Sequence, residues 1–77
     1  MDIRKRVGLR IKQLRQNLKL KQEALAYKAE IDKTYINEVE NGKRNVSVIN
    51  LEKIVNALDV QVRDFFNHDL FSGGVQA

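Results

Sequence analysis

Between Gln22 and Gly42 the chain reads QEALAYKAEIDKTYINEVENG, and no other stretch restricts the possible folds as tightly. Two short helical patterns lie here, separated only by Glu30-Ile31-Asp32. In the first, Gln22 to Ala29, the residues Leu25, Ala26 and Ala29 share one helical face by their spacing. In the second, Lys33 to Asn41, Ile36, Val39 and Glu40 do the same. Asp32 stands where an N-cap belongs, because its carboxylate can accept from the free backbone donors of the helix that follows. Asn41-Gly42 is a stop signal: glycine takes the left-handed conformation that closes a helix. Asn-Gly also signals a hairpin, but no alternating strands flank it. Two helices joined by so tight a turn form a helix-turn-helix pattern.

The rest of the chain supplies a body for this unit. Ile3, Val7, Ile11, Leu14 and Leu18 form an apolar stripe on a first helix, Ile3 to about Asn17. Gly8 inside it costs about 1 kcal/mol of helix propensity, which points to close helix packing there. Asn17 to Lys21 connects to the second helix, with Leu18 and Leu20 pinned to the core. Ser47 caps a fourth helix, Val48 to Leu58, whose core face is Val48, Leu51, Ile54, Val55 and Leu58, while Ile49 falls near the polar side. Asp59-Val60 turns into a fifth short helix, about Gln61 to Asp69, carrying Val62, Phe65 and Phe66. Ser72 to Ala77 has no pattern and reads as a disordered tail. One all-α domain, residues 1–71, is expected, with 72–77 as its tail.

Composition narrows the class. With 77 residues and no cysteine, neither disulfides nor a cysteine metal site can supplement a small core. The chain has no proline, and no apolar run approaches the roughly 18 residues of a membrane helix. The basic N-terminus has the periodicity of a transit peptide, but its apolar residues serve more simply as a core face. An intracellular, cytoplasmic protein is expected. The net charge of +4 is uneven: residues 1–33 hold ten Lys and Arg against four acids, and residues 34–77 hold four against six. A basic half opposite an acidic half suits a polyanion partner, although an ordinary solvated basic surface has the same composition. Enzyme chemistry finds no foothold. His68 is the one histidine, a surface residue with no second ligand and no nucleophile at a useful spacing, and Gly73-Gly74 lies in the tail. No metal and no cofactor are expected.

Several linked features now point to a family. They are Ile11-x-x-Leu14-Arg15, Gln22-Glu23-x-Leu25-Ala26, Tyr35-Ile36-x-x-x-Glu40-x-Gly42 and Leu51-x-x-Ile54-x-x-x-Leu58, in that order. From Val7 to Phe66 the chain resembles the phage-repressor-like helix-turn-helix domains of the Cro type. The resemblance implies a five-helix, lambda-repressor-like DNA-binding domain. Thr34-Tyr35-Ile36 and Arg44-Asn45-Val46-Ser47 make it most similar to the small controller proteins of restriction–modification systems. Many members have glycine where this chain has Glu30, so either Glu30 is left-handed or the turn differs. The implied function is a sequence-specific, double-stranded DNA-binding transcriptional regulator. Its partners would be operator DNA, a second copy of the chain and RNA polymerase. The rival readings are an antitoxin-type autorepressor and a protein-interaction module that kept the fold without DNA binding.

The resemblance also implies roles for residues. Gln22 would meet a phosphate, unless it only caps its own helix. Lys33 can donate to guanine, and the Thr34 methyl can pack on thymine. Tyr35 would join them or pack partly in the core. One turn on are Asn37 and Glu38; Glu38 can accept from cytosine but is repelled by phosphates. Lys43, Arg44 and Asn45 form a loop suited to phosphates, or merely a solvated one. Arg15 and Glu40 would pair between the first and third helices as a partly buried ion pair, unless Arg15 meets a phosphate instead. For a two-fold interface, apolar residues without a core role are needed: Ile49, Phe65, Leu70 and Phe71. Of the two adjacent phenylalanines, Phe65 is expected to face outward and Phe66, with Val62, to close the core.

Overall fold

The computed structural model describes residues 1–72, and its elements follow from caps and apolar stripes. Helix α1 spans Ile3–Asn17, α2 Gln22–Ala29, α3 Lys33–Glu40, α4 Val48–Ala57 and α5 Val62–Phe66, and a 3-10 turn covers Asp69–Phe71. The described residues contain no strand. The expected disorder of the tail falls on residues 73–77, which lie outside the described residues.

Local chemistry sets the ends. Asp2, Asp32 and Ser47 cap α1, α3 and α4, accepting from the backbone N–H of Arg4, Thr34 and Asn50. Hydrogen bonds from the Arg4 side chain and then its backbone N–H hold the Asp2 carboxyl down to about 2. The stop at Gly42 uses a φ of +73°, and a side chain there would run into Lys5 of α1. At Glu30 the turn adopts the left-handed conformation despite the Cβ, with φ 57° and ψ 44°. That conformation costs a non-glycine residue about 1–2 kcal/mol. It lets the Glu30 N–H return to Tyr27 and the Ile31 N–H to Ala26, closing the helix within the tight turn.

α1 packs across α3, α2 lies against both α3 and α4, and α5 closes on α4. Gly8 makes the α1–α3 approach possible: a Cβ there would overlap the carbonyl oxygens of Val39 and Glu40. Ile11, Leu25, Ile36, Val39, Ile54, Val55, Leu58 and Phe65 form the fully buried centre.

Several expectations are corrected. Phe65 faces inward, with 0% exposure, and Phe66 is the half-buried neighbour. The rotation of α5 is held by Arg10 of α1, which donates to the carbonyls of Phe65 at 2.7 Å and Asp64 at 3.0 Å. The Phe65, Phe66 and Phe71 rings then stack edge-on and tilted, with centroids 4.9–6.1 Å apart. Phe71 is therefore partly spent on its own core, and Val62 is 43% exposed rather than closing that core. Val48 is 84% exposed instead of buried. It sits on the first turn of α4, where the stripe runs past the neighbouring helices; Ile3 at the start of α1 is exposed in the same way, and so is Leu18 just past its end, which is not pinned to the core. Finally, the fifth helix ends at Phe66, and His68 breaks it, its Nδ1 accepting from the Leu70 N–H to cap the 3-10 turn. His68 is thus half-buried and structural rather than a plain surface residue.

Candidate nucleic-acid interface

The turn at Glu30 and the cap at Asp32 project the start of α3 outward. Lys33, Thr34 and Asn37 are exposed there, and with Gln22 from the start of α2 they line one shallow recess. Gln22 does not simply cap its own helix, since α2 has no side-chain cap. Its amide nitrogen donates to Glu40 at 3.0 Å, and its oxygen accepts from Asn37 at 3.2 Å.

Beneath the recess lies the pair of Arg15 and Glu40. Arg15 donates to the two carboxylate oxygens at 2.7 and 2.9 Å and to the Leu20 carbonyl at 2.8 Å. Their side chains are 11% and 2% exposed. A bidentate guanidinium–carboxylate pair is geometrically strict, so it fixes α3 relative to α1. It also fixes the recess, because Glu40 holds Gln22.

A second cluster flanks the first. Arg44 in the loop after α3 pairs with Glu38, its nearest contact 2.6 Å, and lies 4.7 Å over the centre of the Tyr35 ring. The Tyr35 hydroxyl accepts from the Ser47 N–H at 3.4 Å. Tyr35 and Glu38 are half-buried, and they fold the loop against the outer side of α3. Lys43 and Asn45 remain exposed beside them. In the free protein Glu38 is engaged with Arg44 and offsets its charge.

All nine residues singled out at the sequence level thus fall on α3, the start of α2 or the adjoining loop. The residue that sequence reasoning missed is Asn41, whose amide donates to the Asn37 carbonyl at 2.9 Å and to its side-chain oxygen at 3.3 Å. The available signal was the i, i+4 spacing of the two asparagines. Of the proposed contact residues for a second copy, Ile49 is 70% exposed, Leu70 and Phe71 are half-buried, and Phe65 is removed by its burial. Among the described residues, no three metal-binding side chains cluster and no helix is long and apolar enough to cross a membrane.

An all-helical body that presents the second helix of a tight two-helix unit defines the helix-turn-helix class. A helix-turn-helix family model matches residues 11–65. The control protein C.MunI of a Mycoplasma species is 43% identical over 67 residues, covering 86% of this chain and 90% of that protein. Among solved structures, the restriction–modification controller C.AhdI from Aeromonas hydrophila has a TM-score of 0.79 and 40% identity over 82% of this chain and 96% of its own. The C.Esp1396I controller, solved as a tetramer on its natural 35 base-pair operator, has a TM-score of 0.81 and 36% identity, covering 86% and 87%. The chain belongs to the helix-turn-helix family and, within it, to the controller proteins.

Proposed function

We infer that this chain is a sequence-specific, double-stranded DNA-binding transcriptional regulator that controls restriction–modification genes. The observation that carries this reading is the recess of Gln22, Lys33, Thr34 and Asn37, seated on a buried ion pair and facing solvent. Base edges would be read by Lys33, Thr34 and Asn37, while the backbone N–H at the α2 start, at Gln22, and the side chains of Lys43, Arg44 and Asn45 would hold phosphates. Tyr35 packs on Arg44 and shapes the loop. Glu38 would release Arg44 to the backbone when DNA arrives.

A single recognition helix reads few base pairs, so two copies would bind half-sites about one DNA turn apart, roughly 34 Å. Val48 and Ile49 on α4, with Phe66, Leu70 and the outer edge of Phe71, supply apolar surface for a two-fold contact. This half of the chain carries more acids than bases, so a second copy there leaves the basic half free for phosphates. Residues 1–71 would form the binding domain, acting on DNA in the cytoplasm and meeting RNA polymerase beside its operator. No catalytic role is part of the reading.

Selection of bound duplexes from a random library tests it. Two related half-sites should be enriched, and replacing Ile49 and Leu70 together by Ser should give a folded monomer in sedimentation with much weaker operator binding. Recovery of no enriched sequence would favour a protein-interaction module, and a dimer of unchanged affinity would move the interface elsewhere.

A further inference from the structure

The carboxylate of Glu40 reaches the protein surface through two amides. Both its oxygens receive Arg15, and Oε1 also receives the Gln22 nitrogen at 3.0 Å. A carboxylate so paired only accepts, so the nitrogen of Gln22 must be the atom that faces it. The Gln22 oxygen is thereby turned toward α3, where it accepts from the Asn37 nitrogen at 3.2 Å. The Asn37 oxygen in turn receives the Asn41 nitrogen at 3.3 Å. A side-chain amide has two donor hydrogens and two acceptor sites. Asn37 has used one of each inside the protein. Asn37 is exposed, and its two internal bonds leave one N–H and one lone pair for a ligand.

We propose that this relay makes Asn37 a specificity-determining residue for adenine, with Gln22 as the positioning residue that transmits the charge of Glu40. The proposal rests on the DNA-binding reading above. An amide with one free donor and one free acceptor matches N7 and the N6 amino group of adenine, and no other base offers that pair in the major groove. An unrestrained amide turns over freely and pays to be ordered on binding; this one is ordered beforehand by a buried charge. Lys33 and Thr34 line the same recess and would read the neighbouring positions.

The test uses the full chain and a half-site recovered by selection. Dissociation constants are measured for duplexes carrying each of the four bases at every half-site position, and for a random duplex. At one position the wild type should prefer adenine by roughly tenfold or more, the range of a good bidentate contact. Gln22→Met keeps the side-chain length but breaks the relay, and the preference should shrink severalfold while the random duplex changes much less. Asn37→Asp leaves only acceptors, so the preference should move toward cytosine, whose N4 amino group donates. Circular dichroism melts establish that both variants are folded. If Gln22→Met weakens every duplex by one common factor, Gln22 is a phosphate contact and the relay is overturned. An unchanged base profile in Asn37→Asp, or a wild type without any adenine preference, overturns it while leaving the DNA-binding reading intact. A wild type that retains no duplex at all removes that reading and the relay with it.

Discussion

Two regions of this molecule hold their helices with different chemistry. From Arg15 to Asn41 polar contacts are added to the apolar core of Leu25, Ile36 and Val39: a buried bidentate pair, two amides in series and a side-chain cap at Asp32. From Val48 to Phe71 the fixing contacts are apolar, ending in three stacked phenylalanine rings, with Arg10 of α1 as the main polar clamp. Directional bonds specify one geometry, which a surface that must match base edges requires. Apolar stacking fills space without specifying direction, which suffices for a closing element and leaves spare surface for a partner. The polar region therefore carries precision and the aromatic region carries bulk.

Mutations at the two centres break this comparison most sharply. Phe65→Ala should cost about 3–5 kcal/mol in a urea melt, the range for a fully buried phenylalanine, whereas Phe66→Ala should cost clearly less. Equal losses would mean that α5 has no fixed rotation. Arg15→Ala strands a carboxylate that is 2% exposed. A loss approaching 3–5 kcal/mol is expected, reduced by whatever water reaches Glu40. A melt that coincides with the wild type would show that the pair contributes nothing to holding α3.

Smaller effects sharpen the contrast on the exposed side. Thr34→Ala should leave stability unchanged within about 0.5 kcal/mol, as for surface sites generally. Discrimination at one base step should fall by up to about 1–3 kcal/mol in competition binding. Equal weakening on specific and random DNA would reduce Thr34 to a backbone contact. Smallest of all, Glu30→Gly should raise stability by about 1 kcal/mol, because it relieves the left-handed residue in the turn. No gain in a thermal melt would mean that the Glu30 side chain repays its strain elsewhere.

The same contrast explains how much could be read from the chain beforehand. α1 and α2 have the ends that their caps and stripes suggest, and α3 and α4 each stop one residue sooner. These helices run for at least two turns, so their periodicity is sampled often enough to assign a face. α5 has five residues. Phe65 and Phe66 lie about 100° apart on such a helix, and one turn of pattern cannot decide which points inward. The decision falls to Arg10, 55 positions earlier in the chain, through carbonyls that carry no side-chain signature. Val48 shows the converse error: a stripe can continue beyond the body it packs on, and spacing alone does not mark where the neighbour ends. At the candidate site, exposed polar residues in the first turn of α3 were legible from the turn itself. The link from Gln22 to Glu40 was not, because it joins the first residue of α2 to the last of α3. The pairing of Arg44 with Glu38 was equally hidden, since it depends on how the loop folds back across Tyr35.

The most direct test of the account is the salt dependence of binding to the selected operator. A dimer whose basic loops and helix ends neutralise about six phosphates should show a slope of log K against log salt near −5. Lys43→Ala should make that slope shallower by about one unit per copy without changing the preferred sequence. A slope near zero, with specific and random duplexes bound alike at every salt concentration, would contradict the assignment of this surface to DNA.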